Sequence, residues 1–295
     1  RYSTACGIAA RMALTKSEWA DAVKYADLAI QKSGASLQSG STLVDGFNSV
    51  LAPEWMWGYN LNVLQNFFYS SFFSNFSYNF NGHNSGFKVA VNRSLFDKMG
   101  PKDSRRKWWL CLDLGDEVPA DASPALFSID KKTNLPSWEE SGQPLKFKAK
   151  SNEDSKGDLL VMRLAEMYYI KAEAQARLSL DGDAQTTLYE IMKTRDVDYA
   201  KPALTGEELI TEIFRNKRLD LWFEGQRFFD LKRTKTLPNR KTAGNENYLS
   251  ASRAAEAIRR ENLVEYPTSA DDKKWEFAIP YNEIKGNPLC VQNPL

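Results

Sequence analysis

The chain has 295 residues, and its 39 Lys and Arg residues against 38 Asp and Glu residues give a net charge of +1. Apolar and aromatic residues make up 42% of the chain and charged residues 26%. These values are typical of a globular protein and exclude a disordered, collagen-like or strongly charged chain. A chain this close to neutral offers little overall attraction to nucleic acid. Its length permits one large domain or two of ordinary size.

The cysteines and the hydropathy place further limits on the chain. Cys6, Cys111 and Cys290 are widely separated, so no disulfide framework and no zinc-binding spacing is predicted. The sequence begins at Arg1 without a basic and apolar leader, which indicates a processed or truncated chain. No stretch reaches the roughly 18 apolar residues that a membrane-spanning helix requires. We therefore expect a chain that does not itself cross a membrane.

Small residues recur at every fourth position of the first segment, at Ala5, Ala9 and Ala13. This spacing predicts a helix whose small-residue face packs closely against another helix. Thr15 and Glu18 have the spacing of a capping box, which predicts the start of a second helix. The two segments predict a helical hairpin over about residues 3–32.

The same pattern returns over about residues 159–193. Ala172 and Ala176 lie four residues apart, and the Asp-Gly-Asp sequence at 181–183 separates them from a second helix with Leu188 and Ile191 on its apolar side. Paired helices of this kind resemble the tetratricopeptide repeat, whose period is about 34 residues. The sequence therefore predicts a mainly α fold in which helical hairpins form the scaffold.

A third helical segment is predicted to start at Thr205. The Thr205 hydroxyl and Glu208 have capping-box spacing, and apolar positions continue to Phe223 before Gly225 ends the helix. The region of about 205–295 is thus predicted to hold C-terminal helices and a tail, with a short helix near 254–260.

Residues 44–157 lack the helical period and are predicted to form a loop-rich insertion. Short strands are predicted at 54–59 and 107–112, and a small hairpin at 145–149. Several prolines and scattered charges between 113 and 157 favour long loops.

The segment 55–87 contains no Asp, Glu, Lys or Arg and holds twelve of the 36 aromatic residues. Aromatic faces and neutral Asn and Ser side chains suit an uncharged polyhydroxylated ligand such as a glycan, and they would also serve a peptide. Part of this segment is expected to be core, because phenylalanine is usually buried and these residues have helical spacing: Phe67, Phe68, Phe72, Phe73 and Phe76. The candidate ligand-binding residues lie where the pattern loosens into loops: Tyr69, Tyr78, Phe80, His83 and Trp138.

No catalytic motif accompanies these aromatic residues. Glu139 and Glu140 are adjacent, so on an extended chain they point to opposite faces and do not form a glycosidase pair. His83 is the only histidine, and no phosphate-binding loop, nucleophile elbow or metal motif is present. We expect a protein that is not an enzyme and has no cofactor and no metal site.

The segment 214–233 is rich in both charged and aromatic residues. Asp220, Glu224 and Asp230 are interleaved with its cations, which favours internal ion pairs over a track for RNA phosphates. Four residues of the segment are interpreted as a structural motif: Arg218, Glu224, Arg227 and Asp230.

Three stretches of this sequence form distinctive motifs. The first contains Arg-Asn-Lys-Arg at 215–218 and Phe-Glu-Gly-Gln-Arg-Phe-Phe-Asp-Leu-Lys-Arg at 223–233. The second is Arg-Leu-Ala-Glu-Met-Tyr-Tyr-Ile-Lys-Ala-Glu-Ala at 163–174. The third is Phe-Ala-Ile-Pro-Tyr-Asn-Glu-Ile at 277–284, followed by Asn-Pro. Together they resemble the SusD/RagB family of nutrient-binding lipoproteins, and the resemblance extends over most of the chain.

The resemblance implies a single SusD-like domain over 1–295, with tetratricopeptide-like hairpins and irregular loops that carry the ligand site. It implies binding of glycans at the cell surface, without catalysis, for uptake through a SusC-type TonB-dependent transporter. The resemblance also implies an N-terminal lipid anchor that holds the full-length protein at the outer membrane, and we expect this anchor and further N-terminal helices to be missing from the present chain.

Two other functions remain open from the sequence. The first is peptide binding by a RagB-like uptake component, which the same aromatic loops would serve. The second is a helical-repeat adaptor that recognises protein partners through its hairpins. A glycosidase ranks last because the aromatic segment supplies no carboxylate.

Overall fold

The computed structural model describes residues 1–61, 71–80, 82–85, 89–124, 126, 141–153, 155–238 and 267–293. Paired helices form a scaffold on which a layer of irregular segments and short strands lies. This agrees with the predicted mainly α fold. Two of the candidate ligand residues, Tyr69 and Trp138, and the helix predicted near 254–260 lie outside the described residues.

Helices α1 (Tyr2–Thr15) and α2 (Trp19–Lys32) form the first predicted hairpin. The close-packed face of α1 differs from the prediction, because Ala10 and Ala13 are buried whereas Ala5 is exposed. The predicted capping box is also wrong. Thr15 is the last residue of α1 and its hydroxyl donates to the Arg11 carbonyl at 2.8 Å, while Glu18 itself occupies the N-cap of α2.

The second hairpin consists of α5 (Leu164–Arg177) and α6 (Asp181–Arg195). Its predicted start was too early, because 159–163 forms a strand that runs directly into α5. Helix α2 packs against α5, and the contact is made largely by small or flexible residues, which let the helix axes approach closely. The buried residues that these two helices contribute to their shared cluster are Ala22, Ala26, Ala29, Met167, Ile170 and Ala174.

Helices α7 (Gly206–Asp220) and α8 (Gln226–Thr234) complete the scaffold. Helix α7 buries Leu209, Ile210 and Ile213 against α5 and α6, and each such side chain contributes about 1.5–3 kcal/mol through burial. Helix α7 is the third predicted helical segment, and it is shorter than predicted because it ends at Asp220. The Thr205 side chain makes no capping hydrogen bond. Gly225 (φ 82°) precedes α8 rather than ending α7, since 221–224 form a turn.

Two antiparallel strand pairs lie in the loop layer. Strand β1 (Trp55–Tyr59) pairs with β4 (Leu159–Arg163), and β2 (Trp109–Leu110) pairs with β3 (Gln143–Pro144). The strand predicted at 107–112 is thus shorter, because 3₁₀ turns occupy both of its flanks. The hairpin predicted at 145–149 does not form, since Phe147 makes a parallel bridge with Ser77 instead.

The loop layer has an aromatic core of its own. Trp108, Trp109, Phe73 and Phe147 are fully buried in it. The short helices α3 (Phe72–Phe76) and α4 (Arg93–Phe96) each contribute one buried phenylalanine, Phe73 and Phe96. Phe72 and Phe76 pack against this core and are partly buried, as the helical spacing predicted, whereas Phe67 and Phe68 lie outside the described residues. A further short helix, α9 (Tyr281–Gly286), belongs to the C-terminal tail.

Candidate functional site

A buried ion cluster joins the loop layer to the scaffold. Arg163, at the end of β4, donates to Glu54 at 2.5 Å, to Asp220 at 2.5 Å and to Glu224 at 2.8 Å. Arg195 of α6 donates to Asp220 at 2.8 Å and to Glu54 at 2.9 Å. Although burial opposes it, the Arg195, Arg163 and Arg105 charges hold the pKa of Asp220 far below its usual range. Asp220 is therefore a permanent carboxylate at neutral pH.

Lys146 brings the loop layer into this cluster. Its fully buried ammonium donates to the Asp220 carbonyl at 2.7 Å and to Glu224 at 2.6 Å, and it lies 4.6 Å from the centre of the Trp108 ring. Burial lowers the pKa of Lys146 to about 8, with Glu224 acting in the opposite direction. The ammonium thus holds 221–224 in the turn that presents Phe223 and Glu224 to the loop layer.

A cavity of about 230 Å³ opens above this turn. Its walls are mainly aromatic and aliphatic: Phe47, Phe72, Phe147, Leu159, Leu160, Phe223 and Glu224. The Phe72 and Phe147 rings meet edge to face at 4.8 Å, and Phe223 packs on Phe76 at 4.3 Å. The volume lies below that of pockets for drug-sized ligands, so it suits one ring or one side chain of a larger ligand.

Phe223 is held in the left-handed region, with φ at 59°. This backbone conformation is uncommon for a bulky residue and is retained only where the surroundings fix it. Here the ring stacks on Trp222 at 3.8 Å, and the Trp222 carbonyl accepts from Lys146 at 2.9 Å. The turn is therefore built to place an aromatic ring in the cavity wall.

Strand β1 carries two exposed aromatic rings beside the cavity. Trp57 is 38% exposed and Tyr59 is 57% exposed. Leu159 and Leu160, which line the cavity, pair with Tyr59 and Gly58 across the strand ladder. A side chain at Gly58 would approach the Trp55 ring to 2.7 Å, so glycine permits the packing beneath the strand. In this strand pair, β1 therefore carries the exposed rings and β4 supplies part of the cavity wall.

The sequence did not predict Trp57 and Tyr59 as ligand residues. Trp55, Trp57 and Tyr59 lie two residues apart, so a regular strand would place all three rings on one face. The pairing with β4 is irregular between Trp55 and Trp57, and the structure buries Trp55 while it exposes the other two rings. The residues around the cavity were not predictable either, because they come from five separate stretches of the chain.

Tyr78 lies close to the cavity without lining it. Its backbone N–H donates to the carbonyl of Phe147 at 3.1 Å, and its half-buried hydroxyl lies 3.4 Å from Asp121. Burial and the Asp121 carboxylate raise the pKa of Tyr78. Asp121 also pairs with Lys148 at 2.5 Å.

The other sequence-predicted ligand residues are dispersed. Phe80 is only 3% exposed and packs in the aromatic core, so the expectation that it lies at the surface is not met. His83 is exposed in a 3₁₀ turn, and its backbone N–H donates to the Ser74 hydroxyl at 3.2 Å. Tyr78 and His83 thus lie in the loop layer and reach its surface, whereas Phe80 is buried beneath that surface.

The four residues of the charged motif have different surroundings. Glu224 is held by Lys146 and Arg163, and Asp230 accepts from Lys217 at 2.8 Å and from Arg233 at 2.6 Å. Arg218 and Arg227 make no hydrogen bond or ion pair with any residue in the described ranges.

One carboxylate lies among the residues that line the cavity. Glu224 is the carboxylate at the cavity, and its oxygens are already occupied by two cations. Within the described part of the chain, no group of three His, Cys, Asp or Glu side chains is arranged to hold a metal ion. The described helices include none that is long and apolar enough to span a membrane.

Stacked helical hairpins covered by a loop layer with an aromatic cavity define a mainly α, helical-repeat class of fold. Residues 144–295 match the sequence model of the SusD family. The chain belongs to this family. No curated protein matches it.

Solved structures of the same superfamily share the fold. A SusD-like carbohydrate-binding protein from Bacteroides vulgatus is 25% identical with a TM-score of 0.62, and the match covers 80% of this chain and 45% of that one. A SusD superfamily protein from the same species is 20% identical with a TM-score of 0.71, covering 99% and 59%. Surface glycan-binding protein A from Bacteroides uniformis is 18% identical with a TM-score of 0.62, covering 98% and 60%. The chain thus spans about half the length of the structures it resembles.

Proposed function

We propose that this protein binds glycans through the aromatic surface of its loop layer. The observation that carries the proposal is the joining of the exposed Trp57 and Tyr59 rings to the aromatic cavity by the β1 and β4 strand pair. Sugar rings present C–H faces that pack on aromatic rings, and their hydroxyls use neutral donors and acceptors. Tyr69, Tyr78, His83 and Trp138 remain candidates for further contacts.

The proposed activity is binding without catalysis. A glycosidase needs two carboxyl groups about 5 to 9.5 Å apart, one of them protonated. Glu224 instead forms ion pairs with Lys146 and Arg163, so its oxygens are already engaged within the protein.

Membership of the SusD family extends the proposal to cell-surface capture of glycans for uptake. In this role the protein would be held at the outer membrane by a lipid anchor and would pass its ligand to a SusC-type TonB-dependent transporter.

Calorimetric titration with a panel of neutral oligosaccharides tests the proposal. For the glycan that binds, Trp57→Ala and Tyr59→Ala should each weaken binding roughly three- to tenfold, because an aromatic contact contributes about 0.5–1.5 kcal/mol. Tyr281→Ala, which removes an exposed ring from α9, is the matched control and should bind as the unaltered protein does.

The alternative is capture of peptides, which a cavity sized for a single apolar side chain would also serve. Saturable binding of peptides but of no oligosaccharide would select this alternative. Equal binding of the glycan by Trp57→Ala, Tyr59→Ala and Tyr281→Ala would place its site elsewhere.

A further inference from the structure

A second cluster of charges lies between α5, α7 and α8. Lys217 of α7 pairs with Asp230 of α8 at 2.8 Å. Arg233 of α8 donates to Glu173 of α5 at 2.6 Å and to Asp230 at 2.6 Å. The two carboxylates of this cluster are therefore already occupied by two cations.

Arg218 and Arg227 add two further cations to this cluster. Arg218 follows Lys217 on α7, and Arg227 lies one turn before Asp230 on α8. Both side chains are half-buried, and neither has a hydrogen bond or ion pair with a described residue. Burial and the nearby Arg218 charge lower the pKa of Arg227 to about 10, and burial also lowers the pKa of Arg218. Both remain charged at neutral pH.

The buried cluster around Arg163 differs in its charge balance. There the four cations are matched by four carboxylates: Arg105, Lys146, Arg163 and Arg195 against Glu54, Asp103, Asp220 and Glu224. Around Asp230, the ion pairs of the described residues join Lys217 and Arg233 to Glu173 and Asp230, while Arg218 and Arg227 form none. Glu166 also feels the Lys217 charge, but its carboxylate is paired with Arg11. Partial burial of two unmatched like charges costs stability. Such a cost is typical of a binding site rather than of a purely structural motif.

The surroundings of the two guanidiniums favour a polypeptide as the partner. Phe228 follows Arg227 on α8, so the two side chains lie about 100° apart around the helix. Phe277 is 74% exposed, and its ring lies 5.1 Å from that of Phe228. Arginine and large aromatic residues together are enriched in protein–protein interfaces and supply most of their binding energy.

We propose that Arg218 and Arg227 bind carboxylates of an acidic segment of a partner polypeptide, with Phe277 at the rim of the contact. A guanidinium accepts a carboxylate in a paired, bidentate geometry, so two of them can hold two acidic side chains. This site lies on the scaffold helices and does not depend on the proposed glycan site.

The test is fluorescence anisotropy with a short labelled peptide in which glutamate alternates with leucine, at low ionic strength. The Arg218→Gln/Arg227→Gln variant should bind it about tenfold or more weakly. Lys98→Gln/Lys107→Gln removes the same charge from two exposed lysines and should bind as the unaltered protein does. Arg218→Lys/Arg227→Lys should fall between them, because lysine keeps the charge but loses the bidentate geometry.

Thermal unfolding separates this role from a structural one. Without a bound partner, the glutamine double variant should unfold at the same temperature as the unaltered protein or at a higher one, because it removes the repulsion between two half-buried cations. Unfolding several degrees lower would overturn the proposal, as would unchanged peptide binding. Binding of polygalacturonate that depends on both arginines, without binding of the peptide, would assign the site to acidic glycans and equally overturn it.

Discussion

Arg163 connects three segments that are far apart in the sequence. Its guanidinium reaches Glu54 before β1, Asp220 at the end of α7 and Glu224 in the turn below the cavity. Every polar atom of this side chain is buried. Removal of one partner from a buried ion pair leaves the other charge without compensation, which costs far more than the pair contributes.

We expect Arg163→Met to lower the free energy of unfolding by about 3–5 kcal/mol. Methionine fills part of the volume but leaves Glu54 and Glu224 with one cation each. Unfolding by urea, followed by circular dichroism, measures the change.

Lys102→Met is the matched control for this substitution. Lys102 and Asp198 form an exposed pair at 3.0 Å, and such pairs contribute about 0–1 kcal/mol. A similar loss of stability in both variants would contradict the role of Arg163 as the buried connection.

At the scale of elements, the loop layer depends on a close approach between 155–158 and α3. Gly157 is buried against Phe73 of α3, and a Cβ atom at this position would come within 2.3 Å of the Phe73 ring. Phe72 of the same helix lines the cavity, so this contact also sets the position of a cavity wall.

We expect Gly157→Ala to lower the stability by about 1–3 kcal/mol, because the added methyl group overpacks an aromatic core. In Gly182→Ala, the same methyl group is added to α6 where no atom lies within 4 Å. That variant should gain up to about 1 kcal/mol through helix propensity. Equal stability of the two variants in chemical denaturation would show that Phe73 moves aside.

At the scale of the whole molecule, the cluster around Asp220 joins scaffold and loop layer into one unit. Asp220 belongs to α7, Arg195 to α6 and Lys146 to the loop layer. A carboxyl whose pKa is far below its usual range in the folded state stabilises the fold above pH 4. That stabilisation is lost as the pH falls below about 4, where the unfolded chain takes up the proton first.

We therefore expect acid unfolding to be a single transition, in which circular dichroism of the helices and tryptophan fluorescence of the loop layer have the same midpoint. Asp220→Asn should be less stable than the unaltered protein at pH 7. The difference should narrow by up to about 1.4 kcal/mol for each pH unit below 4, because asparagine takes up no proton. Separate midpoints, or a difference that does not change with pH, would contradict this account.

Sequence patterns predicted the elements more successfully than the site. Both helical hairpins and the strand at 54–59 were predicted within a few residues, because helix and strand periods are local properties of the chain. The end of α7 was placed three residues too far along, since Trp222 and Phe223 continue the apolar pattern while Lys146 holds their backbone in a turn. Phe80 was expected at the surface because its Asn-Gly neighbours are typical of loops, yet the loop is covered by other segments.

The sequence by itself determined the helical hairpins, the loop-rich insertion and the resemblance to the SusD/RagB family. The tertiary structure decided which aromatic rings are exposed, which carboxylates are neutralised and which arginines form no ion pair within the described residues. The physical reason is that periodicity and motifs depend on neighbouring residues, whereas burial and ion pairing depend on contacts such as Arg163 with Glu54, which lie 109 residues apart. Phe47, Phe147 and Phe223 enclose one cavity only because this buried cluster brings their segments together.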